Sequence, residues 1–333
     1  MGSHIRWRTA GEEPQETLFE GLVRREVGIG EYRGLEFYEV QARTIINRVP
    51  GAPFGFEYSI NAYRGCSHAC TYCFARPSHE YLGLGPGTDF ETKIVVKTNA
   101  IELARAETSP SRWGGELIAM GTNTDPYQPA EGRYKLTRGI VGVLIERANP
   151  FSILTKSTLV LRDLDLLIDA AQSMDVRVDF SIGTLDESVW RTTEPGTPHP
   201  RRRVEAVARL SQAGVPSGVL VAPVLPGLSD RSDQIEAVVA AAVEAGAVSI
   251  SSVLLHLRDG VKQHYRGWLE TARPDLVSLY DGLYGRGPYA PPRSRARLAS
   301  LVAELVEKHG GPVRSFRERP KPRPGAKQLA LGL

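Results

Sequence analysis

All three cysteines of this 333-residue chain fall in NAYRGCSHACTYCFAR, residues 61–76, as Cys66, Cys70 and Cys73. Thiolates are soft ligands, and a whole inventory gathered at Cys-x3-Cys-x2-Cys spacing argues for metal binding over packing. Two metal chemistries fit. Structural zinc takes four tetrahedral ligands, so the thiolates would need His68 or His79 to complete the set, all of it from one loop; zinc ligands more often come in pairs from two elements. A cubane iron–sulfur cluster is normally held by four thiolates. Held by three, it keeps one iron open to a substrate or cofactor. An odd cysteine count fits a secreted disulfide framework poorly and a reducing, cytoplasmic interior better.

Such ligands need a scaffold to hold them. From about Phe56, short apolar runs alternate with helical patterns. Strands are predicted at FEYSINAY (56–63), ELIAMG (116–121), FSILTK (151–156), VRVDFSIG (176–183), PSGVLVAPVLPG (216–227) and VSISSVLLHL (248–257). KIVVK (93–97) reads as an extra strand inside the first crossover. Helices are predicted at GIVGVLIER behind an N-cap on Thr137, around LRDLDLLIDAA, at RRRVEAVARLSQAG ending in Gly214, and at SDQIEAVVAAAVEAG closed by Gly246. Six strands alternating with helices imply an α/β fold with parallel pairing through right-handed βαβ units. Six units are too few for an eight-fold barrel, so an open, partial (β/α)6 TIM-like barrel is expected, with its chemistry at the C-terminal ends of the strands.

With Tyr72 and Phe74 around the last cysteine, the spacing resembles the signature of the radical S-adenosylmethionine (SAM) superfamily, over about residues 56–255. The resemblance implies that Cys66, Cys70 and Cys73 hold a 4Fe-4S cluster and that SAM chelates its fourth iron. One-electron reduction, from a donor such as flavodoxin or ferredoxin, would then cleave SAM to a 5′-deoxyadenosyl radical that abstracts hydrogen from a substrate. The segment GTNTDPYQPAE (121–131) falls where the superfamily receives the SAM amino group. Thr122, Asn123, Thr124 and Asp125 there offer groups suited to an ammonium. TNTDPYQPAE, LTK and EPGTPHPRRR resemble the spore photoproduct lyase-like branch. That likeness carries SAM contacts onto Thr124, Lys156 and Ser181, and offers one of Arg201, Arg202 and Arg203 to the SAM carboxylate. Tyr72, Phe74 and Asp125 are likewise expected beside the cofactors. Lyases of that branch carry a fourth cysteine after the second strand as hydrogen donor, and here the position falls at about Thr122. Tyr280, Tyr284 and Tyr289 are the alternative hydroxyl donors, on what reads as a surface loop.

Around the core (56–270), residues 1–55 read as an N-terminal extension and 271–333 as a C-terminal one. The latter holds the irregular YDGLYGRGPYAPP and a helix with Leu298, Leu301, Val302 and Leu305 on one face. Its Pro-rich tail, RSFRERPKPRPGAK (314–327), has six basic residues against one acid. A formal charge of +3 and that tail are compatible with DNA or RNA, through salt-dependent phosphate contacts. A second reading follows, of a nucleic-acid-binding protein whose cluster is structural or redox-sensing. No apolar run approaches the roughly 18 residues of a membrane helix, so no membrane association is expected.

Overall fold

The apolar runs become strands of two sheets in the computed structural model, which describes residues 21–50 and 55–312. In chain order the strands are β1 (Leu22–Val27), β2 (Glu36–Val40), β3 (Ile46–Arg48), β4 (Tyr58–Ile60), β5 (Tyr63–Arg64) and β6 (Lys93–Lys97). They continue as β7 (Ile118–Met120), β8 (Phe151–Thr155), β9 (Val176–Ser181), β10 (Ser217–Val224) and β11 (Ile250–Leu254). The larger sheet has the order β11-β10-β9-β8-β7-β4-β3. Its six strands from β4 to β11 are parallel to their neighbours, and β3 joins β4 antiparallel at the edge. Sequential order and unpaired edges make this the open (β/α)6 arrangement expected. Ile153, Val178, Phe180 and Val221 are fully buried, as parallel strands covered on both faces require.

FEYSINAY does not form one strand. Asn61 interrupts it, donating from Nδ2 to Thr122 Oγ1 (3.0 Å) and accepting the Asn123 N–H at Oδ1 (3.0 Å). The chain turns there, so β4 enters the large sheet while β5 pairs with β6 in a second sheet of order β1-β2-β6-β5. KIVVK is therefore a strand, but of the smaller sheet, where β2 from the N-terminal region runs parallel to it.

The helices are α1 (Thr88–Thr92), α2 (Ala100–Glu107), α3 (Pro129–Tyr134), α4 (Leu136–Glu146), α5 (Leu164–Ser173) and α6 (Glu187–Thr193). After them come α7 (Pro200–Gln212), α8 (Ser232–Glu244), α9 (Val261–Ala272), α10 (Val277–Tyr284) and α11 (Pro292–Lys308). Thr137 is not the N-cap of α4. It lies inside the first turn, and the buried Glu131 carboxylate caps the helix, accepting the N–H groups of Thr137 (2.9 Å) and Arg138 (3.2 Å). Gly214 and Gly246 end α7 and α8 in the left-handed region, at φ +79° and +78°.

The region past residue 270 is more regular than its composition implies. α10 runs to Tyr284, and the i, i+4 spacing of Tyr280 and Tyr284 places both rings on one buried face, with centroids 5.7 Å apart. They are not surface-loop tyrosines; only Tyr289 is exposed. α11 packs on β11 and α8, and its Leu298, Val302 and Leu305 join the same core as Phe37 and Ile45. That core crosses both of the expected boundaries, at 55/56 and 270/271. Residues 1–20, 51–54 and the basic tail lie outside the described residues. No described helix is long and apolar enough to cross a membrane.

Candidate active site

The cysteine segment follows β5 and is pinned by its backbone. Cys66 N–H donates to Phe90 O (2.9 Å), and Cys73 N–H to Cys70 O (3.2 Å). Arg76, fully buried, donates to Cys70 O from Nε (3.1 Å) and Nη2 (2.8 Å), and to Pro86 O and Gly87 O from Nη1. Its guanidinium also pairs with Glu91. Cys66 and Cys70 are buried, Cys73 half-buried, and none is in a disulfide. Burial pushes the Cys66 thiol well above its ordinary pKa, Cys70 to about 12, and Cys73 upward. The charges of Cys70 and Cys73 add to the rise at Cys66, and that of Cys73 to the rise at Cys70. Such thiols become ligands only when a bound cation replaces their protons. Asp125 N–H aimed at Cys66 and Ala75 N–H aimed at Cys73 favour the thiolates, the kind of contact that tunes cluster sulfurs.

This donor set suits a cluster better than a single ion. His68 Nδ1 lies 3.3 Å from Asp125 Oδ2, and His79 Nε2 lies 2.9 Å from Lys93 O. Among the described residues no three histidine, cysteine or acidic side chains converge to hold one metal ion. A cubane, with its irons at separate corners, takes one thiolate at each of three.

The turn after α6 forms the wall behind the loop. Thr71 N–H donates to Thr193 O (3.0 Å), Gly196 N–H donates to His68 O (3.0 Å), and the Tyr72 hydroxyl bonds the Glu194 carboxylate. A Cβ on Gly196 would lie 2.2 Å from Ser67 O and 2.9 Å from His68 Cα, so only glycine lets the two backbones approach this closely. Gly196→Ala is expected to cost about 1–3 kcal/mol by overpacking, released by displacing the cysteine loop. Iron per chain after anaerobic reconstitution should fall while the metal-free protein still unfolds cooperatively; undiminished iron would show that the wall does not set the loop.

Strand ends bring most of the expected cofactor residues to this wall. Asp125, after β7, accepts Lys156 N–H (2.7 Å), Thr155 Oγ1 (2.6 Å) and Tyr127 N–H (2.9 Å) besides facing His68. Burial would raise its pKa, but the His68 imidazole and these donors hold it below the usual carboxylate value. Thr124 Oγ1 donates to Gly65 O (2.6 Å) at the root of the loop and accepts from Gln128 Nε2 (2.9 Å). Lys156 Nζ donates to Ser181 Oγ (2.7 Å), pairs with Glu194 Oε1 (3.0 Å) and sits 5.7 Å from the centre of the Tyr72 ring. Of the three arginines opening α7, Arg201 and Arg202 are exposed. Arg203 is buried, donating to Ser181 O (3.0 Å), Thr197 Oγ1 and Glu194.

Glu194 is the group that sequence reasoning missed. Its burial would raise its pKa, yet the charges of Arg203 and Lys156 and the Tyr72 hydroxyl bring it down to about 2. An acidic residue inside the Pro/Gly turn EPGTP was the available signal. His68, weighed as a zinc ligand, has Nδ1 beside Asp125 and joins no group of three metal-ligating side chains among the described residues.

Two cavities open around this end. One, about 660 Å³, is lined by His68, Tyr127, Ser157, Arg162 and Thr197. The other, about 620 Å³, is lined by Phe74, Tyr81, Asn123, Arg258 and Tyr289. Phe74, expected beside the cofactor, faces the second, with its ring 5.8 Å from that of His256. Tyr280 and Tyr284 pack in the apolar cluster that also holds Cys70 and Tyr72, with Tyr280 Oη 3.1 Å from Tyr265 Oη and the Tyr284 hydroxyl on Leu255 O.

An uncharacterized protein of Mycobacterium tuberculosis is 46% identical over 290 residues, 87% of this chain and 85% of that one. Spore photoproduct lyase of Bacillus subtilis is 26% identical over 229 residues, 66% of this chain and 61% of that protein. A structure of spore photoproduct lyase complexed with dinucleoside spore photoproduct superposes with a TM-score of 0.61 at 20% identity, covering 82% of this chain and 79% of the other. At that identity the likeness speaks for the fold. The family profile described as the radical SAM superfamily matches residues 60–239, from the end of β4 through all three cysteines and β10; this chain belongs to the radical SAM superfamily and is a radical SAM enzyme.

Proposed function

We propose that Cys66, Cys70 and Cys73 hold a 4Fe-4S cluster whose remaining iron takes SAM, and that the enzyme abstracts hydrogen from a nucleic-acid-related substrate. The observation that carries the reading is one backbone-pinned loop bearing the three thiols Cys66, Cys70 and Cys73, none in a disulfide and all raised in pKa by burial, with no fourth cysteine in the chain. Reduced by a flavodoxin- or ferredoxin-like donor, the cluster would supply one electron to the sulfonium and so release a 5′-deoxyadenosyl radical.

The chain's own part is placement and charge. Around Glu194, the buried Arg203 and the partly exposed Lys156 face one carboxylate, which leaves a surplus positive charge at Lys156 to meet the SAM carboxylate. Asp125 supplies the opposite charge on the other side. Its roughly four acceptor positions are already taken by Lys156, Thr155, Tyr127 and His68, so it acts on the SAM ammonium through its field and by holding Thr124 and Lys156 in place. Ser181 Oγ, donating to Ala222 O at 2.7 Å, fixes the direction of Lys156. For the substrate, support comes from the similar lyase structure, which is described with a dinucleoside bound.

The test is anaerobic reconstitution with iron and sulfide, then dithionite and SAM. Formation of 5′-deoxyadenosine together with methionine is the expected result. Zinc at one equivalent with no iron would overturn the reading. So would a cluster whose spectrum ignores SAM, which would favour a structural or redox-sensing role.

A further inference from the structure

The exposed aromatic side chains of the described residues are not scattered. Phe74, Tyr81 and Tyr289, at 42%, 65% and 49% exposure, are the exposed large aromatics, and all three line the 620 Å³ cavity. Solvated rings gathered at one cavity mark a binding surface rather than the ordinary leakage of apolar atoms to the outside. Two of them belong to one row of rings, tilted by 34° at Phe74–His256 and stacked at His256–Tyr289. The Phe74 ring lies 5.8 Å from His256, His256 lies 5.6 Å from Tyr289 at 27° between planes, and the Arg295 guanidinium sits 5.7 Å over Tyr289.

The row is pre-formed. His256 and Tyr289 pair as an antiparallel bridge, and Leu257 N–H donates to Pro288 O at 2.7 Å, tying the loop after α10 to the end of β11. Arg258 and Asp259 stand at the wall of the cavity. Neither Arg258 nor Arg295 has an ion-pair partner among the described residues, whereas Arg266 and Arg273, on the neighbouring α9 and its end, both do. Flat faces with unneutralised guanidinium groups beside them match a stacked base carrying a phosphate. The position matters as much as the chemistry. Phe74 follows Cys73, and Asn123 of the same cavity follows β7, so a group stacked there lies at the cluster end of the sheet.

We propose that this cavity is the substrate subsite and that it takes an unpaired base of a single-stranded nucleic acid, stacked on Phe74 and Tyr289, with the adjoining phosphates on Arg258 and Arg295. The proposal deepens the reading of the chain as a radical enzyme acting on a nucleic-acid-related substrate, and it moves Phe74 from the cofactor to the substrate. Its cavity volume falls in the range of about 300–1,000 Å³ typical of sites for small groups.

Fluorescence anisotropy of a short 5′-labelled oligothymidylate, titrated with reconstituted holoenzyme and SAM without reductant, tests it. Binding is then read whether or not SAM is ever cleaved, so failure of the subsite and failure of the radical chemistry are separate results. Phe74→Ala and Tyr289→Ala are each expected to weaken binding about five- to 150-fold. Phe74→Tyr and Tyr289→Phe, which keep a ring in place, should retain the parent affinity and so exclude misfolding as the cause. Arg295→Ala should lower the slope of log K against log salt by about 0.7, the loss of one single-strand phosphate contact. Contacts from residues 314–327 would be common to parent and variants and cancel. No binding by the parent, alanine variants that bind like the parent, or displacement of the oligonucleotide by an acidic aromatic peptide at lower concentration would each overturn the proposal.

Discussion

Replacing Cys70 with alanine is expected to reduce reconstituted iron to background and abolish 5′-deoxyadenosine formation, while the metal-free protein unfolds almost as the parent does. The two halves of this result come from the same burial. In the metal-free chain the Cys70 thiol is pushed up to about 12 and is neutral, so it behaves as a small apolar side chain, and alanine there costs on the order of 1 kcal/mol. If the cluster is held as proposed, that sulfur would be one of only three protein ligands, and the chain has no other cysteine to replace it. Iron analysis, the visible spectrum under nitrogen and a thermal melt of the metal-free form check both halves. Retained iron with retained SAM cleavage would remove Cys70 from the ligand set. A collapse of the metal-free melt would show that its sulfur is structural.

Glu194→Gln should destabilise the protein by about 3–5 kcal/mol at neutral pH, because it leaves the buried Arg203 and the largely buried Lys156 facing an amide. Glutamine keeps the shape and can still accept from Tyr72, so the loss is one of charge rather than packing. The pH dependence distinguishes this from a general lesion. A carboxylate whose folded pKa lies at about 2, against an ordinary 4.5, contributes stability that is full above the ordinary value and disappears as the pH falls toward 2. The gap between parent and variant should therefore be widest near neutrality and shrink in acid, as denaturant unfolding at several pH values would reveal. A gap independent of pH would mean that Glu194 is not the charged partner of these cations. The same substitution frees Lys156 from Glu194 Oε1, so the SAM-induced change in the cluster spectrum should shift in concentration as well.

The two substitutions act on one assembly from opposite sides. Tyr72 stands between Cys70 and Cys73 and bonds Glu194, while Lys156 lies over the Tyr72 ring and pairs with the same carboxylate. Loop, wall and strand end share their hydrogen bonds and charges, so effects here are expected to be non-additive, as they are for residues in one network.

From the amino-acid order alone came the three thiols, the six βα units, and the placement of Asp125, Lys156 and Ser181 at strand ends. Local signals suffice for these, since spacing along one loop sets which sulfurs can share a cluster, and apolar periodicity reports which runs are buried. Helix ends were legible where a glycine carries the signal, as at Gly214. They were misread at Thr137, because the carboxylate that caps α4 arrives from Glu131 in the preceding helix, α3. Tyr280 and Tyr284 were misread as loop residues because glycine and proline around them outweighed an i, i+4 pair that only packing against Tyr265 makes buried. Tertiary structure alone decided that FEYSINAY divides between two sheets, that EPGTP backs the cysteine loop, and that Phe74, His256 and Tyr289 line up in one row. Each of these joins residues far apart in the chain, and a contact of that kind leaves no period or spacing in the sequence from which it could be read.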